Sequence, residues 1–326
     1  MAVNDDLLAA KVEHVRSVQL LSARRRVAAD LATHTLSDRM LTDIAAAISE
    51  DEVRRLCAHP SFPAVARALA GQESPQGHDA GLLGHAMRDA NRMTSAILAL
   101  YLDATPGGLT HARLDALTDL AGVGGRTRAH AVIAYMRFLG YIAPDPAARD
   151  GRERRYRPTA RMREAFQRYF IDRLTILQPL APEMAAAIPR LTRDEDFSAF
   201  MAVLGEGLVI MGMLHRLNTG PSLDVFSRRR SGLLTLWRLL LSAPPEERWP
   251  PEQWFRASAI DLARKGAVAR SHVQRLLRDG IEAEMLEVDA DGWVRVTPRL
   301  RVEVNTYVAI LAIGLRYCCR EISAAG

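Results

Sequence analysis

The sequence of 326 residues predicts a mainly α-helical protein in which one helical module bearing a small β hairpin occurs twice, joined and flanked by further helices. Three observations carry that prediction. Apolar residues recur at three- and four-residue steps over most of the chain. Two distant stretches show the same succession of helix, glycine turn, helix and hairpin signals. In each stretch the strand-like residues are confined to a short segment between two helices.

The composition belongs to the ordinary globular class: 48% hydrophobic, 25% charged, with 43 Lys+Arg against 38 Asp+Glu and a net charge of +5. This excludes disordered and fibrous classes and leaves room for two or three domains. The longest uncharged runs, such as residues 304–315, fall short of the ~18 apolar residues of a membrane span. The start, with Asn4, Asp5 and Asp6, lacks the basic-then-apolar order of a leader. The expectation is a soluble cytoplasmic protein with no membrane partner. All but two of the 43 basic residues, Lys11 and Lys265, are arginines. Arginine suits bidentate contacts to phosphate and guanine, but GC-rich coding also enriches it across a whole chain, so its location is what informs function. The three cysteines, Cys57, Cys318 and Cys319, show neither a disulfide framework nor zinc spacing.

From residue 5 to about 70 the pattern is helical, with Leu7, Leu8, Val12, Val15, Val18 and Leu21 on one stripe and a second run over 40–48. Ser37 and Asp38 offer that run an N-cap. A polar break at 71–81, containing Pro75 and Gly77, closes a helical N-terminal region of residues 1–80. The first module, 87–177, reads as helices at 89–103, 111–121 and 126–139, extended pieces within 141–159, and a helix at 160–177. Connecting helices fill 178–229. Among them, Asp194-Glu195-Asp196 marks a helix start, and 200–217, with Met201, Met211 and Met213, reads as an apolar helix. The second module, 230–326, gives helices at 230–241, 251–263 and 268–279, extended pieces within 285–297, and a last helix at 298–322. Asp291-Gly292 is its hairpin turn.

The repeat shows in the residues themselves. Asp119-Leu120-Ala121 matches Asp261-Leu262-Ala263, and the same offset of 142 sets Gly124 on Gly266, Arg128 on Arg270 and His130 on His272. Residues 157–163 match 295–301 at an offset of 138, which implies a loop four residues shorter in the second copy. Three helices and a hairpin make the winged helix-turn-helix plan. Gly140-Tyr141-Ile142, followed by Arg149-Asp150-Gly151-Arg152-Glu153-Arg154-Arg155-Tyr156-Arg157-Pro158-Thr159, resembles the recognition-helix end and wing of MarR-like regulators. The second copy is similar, with Val296-Thr297-Pro298 and a short acidic wing, Val288-Asp289-Ala290-Asp291-Gly292. This resemblance covers 89–177 and 230–322 and implies tandem winged helices that bind DNA in a pseudo-dimeric arrangement. MarR-like proteins are usually single-module homodimers, whereas this chain carries two unequal modules and a helical N-terminal region unlike theirs.

Charge distinguishes the two copies. Between Gly122 and Arg173 stand twelve arginines and five acids, a balance of +7 that exceeds the +5 of the whole chain. Residues 264–301 hold eight basic and six acidic side chains. A phosphate-facing surface in the first module explains that concentration.

On the first recognition helix, Ala129, Val132, Ile133, Met136 and Leu139 form the expected buried stripe, leaving Arg126, Thr127, Arg128, His130, Ala131 and Tyr135 outward. Arg126 and Arg128 suit guanine, while Thr127 and the helix N-terminus suit phosphate. Wing residues Arg152, Arg154, Arg155 and Arg157 are assigned to the minor groove or flanking phosphates, with Tyr156 packing at the wing base. The second copy offers Arg270, Ser271, His272, Gln274, Arg275 and Arg278, of which Gln274 suits adenine. The expected function is a sequence-specific regulator of transcription that binds double-stranded DNA near the nucleoid, the first module dominant, its two helices about one turn (~34 Å) apart on the duplex. The alternatives are a replication initiator with two winged helices and a winged-helix docking factor of a chromosome-organising complex. No nucleotide-binding or hydrolase motif is present, so neither enzyme activity nor a cofactor or metal is expected. Homodimerisation and a small-molecule effector are left open by the sequence.

Overall fold

The computed structural model describes residues 38–73, 90–124, 126–147, 154–217, 223–227, 229, 231–266 and 268–324, so the helical reading of residues 5–37 lies outside it. Three helices come first: α1 (Asp38–Ala47), α2 (Glu50–Cys57) and α3 (Phe62–Glu73). α1 begins at Asp38, and Ser37, the other residue of the expected capping signal, lies outside the described residues. α2 opens on Glu50, Asp51 and Glu52 and closes with Arg54 and Arg55, the charge order that a helix dipole favours.

The first repeat runs α4 (Ala90–Asp103), β1 (Leu109–Thr110), α5 (His111–Leu120), α6 (Arg126–Phe138), β2 (Ile142–Pro144), β3 (Arg155–Pro158) and α7 (Ala160–Leu177). Two 3-10 turns, α8 (Asp194–Leu217) and the short α9 (Asp224–Ser227) follow. The second repeat runs α10 (Gly232–Leu240), β4 (Phe255–Arg256), α11 (Ala259–Gly266), α12 (Arg270–Glu282), β5 (Leu286–Val288), β6 (Trp293–Val296) and α13 (Pro298–Ala324). The protein is therefore mainly helical, with two small antiparallel sheets of identical plan, β1-β3-β2 and β4-β6-β5.

Each sheet holds one strand that the sequence does not announce. β1 and β4 have two residues each, too few to show alternation, and they exist because Leu109 pairs with Tyr156 and Phe255 with Val294. The helix expected at 251–263 is corrected accordingly. Pro250 and Pro251 supply no N–H groups, Phe255 and Arg256 are taken by the sheet, and α11 starts only after Ser258, whose Oγ accepts from the Asp261 amide at 3.3 Å.

The backbone also corrects the register of the repeat. Val123 and Val268 donate to the carbonyls of Thr118 and Ala263, an offset of 145 before the third helix, and Tyr141 and Met285 to those of Met136 and Gly280, an offset of 144 at its end. α6 and α12, thirteen residues each, therefore superpose with Arg126 on Arg270, Thr127 on Ser271, Arg128 on His272 and His130 on Gln274. Asp119 lies in the last turn of α5 while Asp261 lies in the first turn of α11, so their three-residue match is not a structural equivalence. The offset of 138 stands at the hairpin exit. There Thr159 and Thr297 each cap a helix, accepting from the amides of Met162 (3.4 Å) and Leu300 (3.3 Å). The hairpin loop spans 145–154 in the first copy and 289–292 in the second, six residues fewer rather than four.

The described chain packs as two compact units. The one built on the first repeat (within 12–49, 91–219 and 313–326) has a core that includes Leu98, Leu102, Phe166, Phe170, Phe197 and Phe200, with the Phe170 and Phe200 rings edge to face at 5.2 Å. The other (within 50–90 and 220–312) buries Leu56, Phe62, Phe226 and Phe255. There Arg67 of α3 donates to the carbonyls of Ala243, Pro244, Pro245 and Glu247 at 2.8–3.3 Å and lies over the Trp249 ring. One guanidinium thus organises the loop leading to β4. α13 is long and apolar enough, by length and composition, to cross a membrane, which the run 304–315 alone does not reveal; most of its apolar window is buried within the protein. Burial pushes the thiols of Cys57 and Cys319 up to about 12, and that of Cys318 higher still, so all three are packing residues rather than nucleophiles.

Candidate nucleic-acid interface

α6 is held by the stripe Ala129, Val132, Ile133 and Met136, none more than 6% exposed. Leu139, expected on that stripe, lies just past the helix end and is half-buried, while Phe138 is 85% exposed. Arg126, Thr127 and Arg128 form the first turn, whose backbone amides have no acceptor within the helix. Their side chains, like Arg152, lie outside the described residues. His130 and Ala131 are exposed. Tyr135 is half-buried with the Arg92 guanidinium 4.9 Å over its ring, so that face is already covered.

The wing arginines divide into two kinds. The side chains of Arg154 and Arg155 are exposed and make no hydrogen bond or ion pair among the described residues. Arg157 approaches Asp103 at 3.8 Å, and Asp103 also binds Arg163. Burial raises the Asp103 carboxyl above its ordinary range, while Arg163 and Arg157 pull it back. Arg157 thus ties the hairpin to the end of α4. Arg161 similarly donates to the Leu139 carbonyl at 2.9 Å, just past the end of α6.

Beneath the hairpin lies a cluster that the sequence reading missed. Tyr156, 3% exposed, packs at the hairpin base with its hydroxyl 3.2 Å from His111 Nε2 and the Arg137 guanidinium 5.7 Å from its ring centre. His111 stacks on His130, ring centres 4.2 Å apart and planes at 22°. Burial, then His130, Arg137 and Arg154, hold the His111 imidazole below its ordinary value. The contacts join α5, α6 and β3, three elements distant in sequence. Only the strand alternation that buries Tyr156 hints at the cluster.

In the second repeat Arg270, Ser271, Gln274 and Arg275 are exposed, and His272, half-buried, has Nδ1 3.3 Å from an Arg275 nitrogen. The stripe beneath them is Val273, Leu276 and Gly280. The sheet differs from its counterpart. Arg256 lies 5.2 Å over Trp293 and Arg295 lies 5.0 Å over Trp254, with Arg295 also paired to Glu287. Both arginines are already stacked, Arg295 is partly neutralised by Glu287, and the hairpin tip carries Asp289 and Asp291 instead of the basic run of the first copy. The chain matches no known protein family, no curated protein and no solved structure.

Proposed function

We propose that the protein is a sequence-specific, double-stranded DNA-binding regulator of transcription with two MarR-like winged helix-turn-helix modules in one chain, acting at the nucleoid in the cytoplasm. The observation that carries this reading is the succession helix, strand, helix, helix, strand, strand, helix, present twice with the same sheet order. In that plan the third helix enters the major groove with its N-terminal residues. Those residues are Arg126, Thr127 and Arg128 in α6 and Arg270, Ser271 and His272 in α12. The +7 of residues 122–173 and the unengaged Arg154 and Arg155 make the first module the dominant one. A fluorescence-anisotropy titration against random duplex DNA at two salt concentrations tests the reading. Salt-sensitive binding is expected, and no binding at the lower salt overturns it.

The stacked Arg256–Trp293 and Arg295–Trp254 pairs, with the acidic hairpin tip, favour a second reading for the second module alone. Aromatic and arginine side chains in this form suit a protein interface better than a phosphate track. In that reading α12 contributes nothing to DNA affinity.

A further inference from the structure

We propose that His130, Arg137 and Arg154 form a site for one backbone phosphate of duplex DNA at the junction of α6 and the first hairpin, engaged with His130 protonated and missing from the second repeat. This rests on the reading of α6 as the DNA-facing helix. His130 and Arg137 stand two turns apart on one face of α6, both exposed, and Arg154 enters from the foot of β3. His130 stacks on His111, whose Nε2 meets the Tyr156 hydroxyl, Arg137 lies 5.7 Å from the Tyr156 ring centre, and Arg154, two residues before Tyr156, shares its side of the chain. Among the described residues no carboxylate bonds to His130, Arg137 or Arg154, and a phosphodiester oxygen accepts from both imidazolium and guanidinium N–H groups.

His111 is the platform rather than the titrating group. Its Nε2 faces the Tyr156 hydroxyl, and its Nδ1 is buried with no hydrogen-bond partner among the described residues. A second proton would sit on Nδ1 with nothing to accept it, beside His130 and Arg137 of α6 and Arg154 of the hairpin strand. On its own helix Arg113 is turned to the Gly108 carbonyl at 2.7 Å, and Asp115 follows one turn later. Neutral His111 therefore holds the exposed His130 ring in place by stacking.

The second repeat supplies an internal comparison. By backbone register, His130 becomes Gln274, Arg137 becomes Ile281, Arg154 becomes Gly292 and Tyr156 becomes Val294. None of the replacements titrates near neutrality or carries a charge. Any proton uptake on DNA binding through this device belongs to the first module alone.

A complex that favours the protonated histidine binds DNA more tightly as pH falls through the histidine range. The test is anisotropy of the full-length protein with a labelled random-sequence duplex at about pH 6 and about pH 8 over a salt series. The wild-type protein should bind about tenfold more tightly at the lower pH, the equivalent of one pKa unit of linkage, with a salt slope steeper by about one. His130→Gln, an exposed change to the residue of the second repeat, should remove both effects, so that its affinity and salt slope no longer differ between the two pH values. Arg154→Ala should lower the salt slope by about one at both pH values. Wild-type binding that ignores pH, or pH dependence kept by His130→Gln, overturns the site while the DNA reading stands. Absence of DNA binding at either pH overturns both.

Discussion

Gly140 and Glu284 occupy one position in the two repeats, the left-handed residue that ends the third helix, with φ of 70° and 57°. The next residue closes the helix in both cases, Tyr141 onto the Met136 carbonyl at 2.8 Å and Met285 onto the Gly280 carbonyl at 2.9 Å. Glycine meets that geometry without a Cβ penalty, whereas Glu284 carries the strain for a single contact, Arg299 at 3.3 Å, while 84% exposed. An exposed pair of this kind contributes little. Glu284→Gly is therefore expected to stabilise the protein by about 0.5–1 kcal/mol, measured as a higher urea midpoint with an unchanged slope. A lower midpoint would show that the Arg299 pair outweighs the backbone strain.

At the level of elements, α8 is fitted to the first repeat through glycine. A Cβ on Gly205 would stand 2.3 Å from Tyr101 Cβ, and one on Gly212 would stand 2.4 Å from the Ala121 carbonyl oxygen at the end of α5. The seven-residue spacing puts both on one face, where α8 lies against α4 and α5. Gly207, off that face, would meet only the Ile44 side chain at 3.6 Å. Gly212→Ala should thus cost about 1–3 kcal/mol through displacement of α5, while Gly207→Ala should be neutral or stabilising by up to about 1 kcal/mol through helix propensity. Thermal unfolding of the two variants side by side checks this, and equal effects would sink the close-packing account. The methionines of this helix invite a sequence reading as its defining feature, and Met201 is indeed buried. The glycines set the distance to its neighbours.

Over the whole molecule, the basic balance belongs to one segment: residues 122–173 hold +7 and the rest of the chain is acidic on balance. The structure divides those arginines by task. Arg157 and Arg163 are bound to Asp103, Arg161 to the residue after α6, and Arg173 is buried over the Tyr169 ring, whereas Arg154 and Arg155 extend unengaged among the described residues. Replacing Arg126 and Arg128 together by alanine should abolish specific DNA binding, since each bidentate base contact discriminates by about 1–3 kcal/mol. Replacing Arg270 and Arg275 should weaken binding less. The reverse order in competition titrations would make α12 the dominant reader. Unchanged affinity in the second pair would instead favour protein docking by that module.

Much of this organisation was legible in the sequence. Helical periodicity located α4, α6, α7, α10, α12 and α13 within a few residues, and the Asp291-Gly292 turn and the Thr297-Pro298 step located the second hairpin and its exit, because these signals are local. Repetition showed that one plan is used twice. Three features required the tertiary structure: the strands β1 and β4, the two-residue correction of the repeat register, and the His111–His130–Tyr156 cluster. A two-residue strand has no period to detect and exists only through its partner. Register is fixed by backbone hydrogen bonds that a chance match of three residues can imitate. The cluster joins side chains 19 to 45 positions apart, and only the folded chain brings them within 6 Å. Local chemistry determined which elements form; long-range pairing decided which residues stand in equivalent places and what they touch.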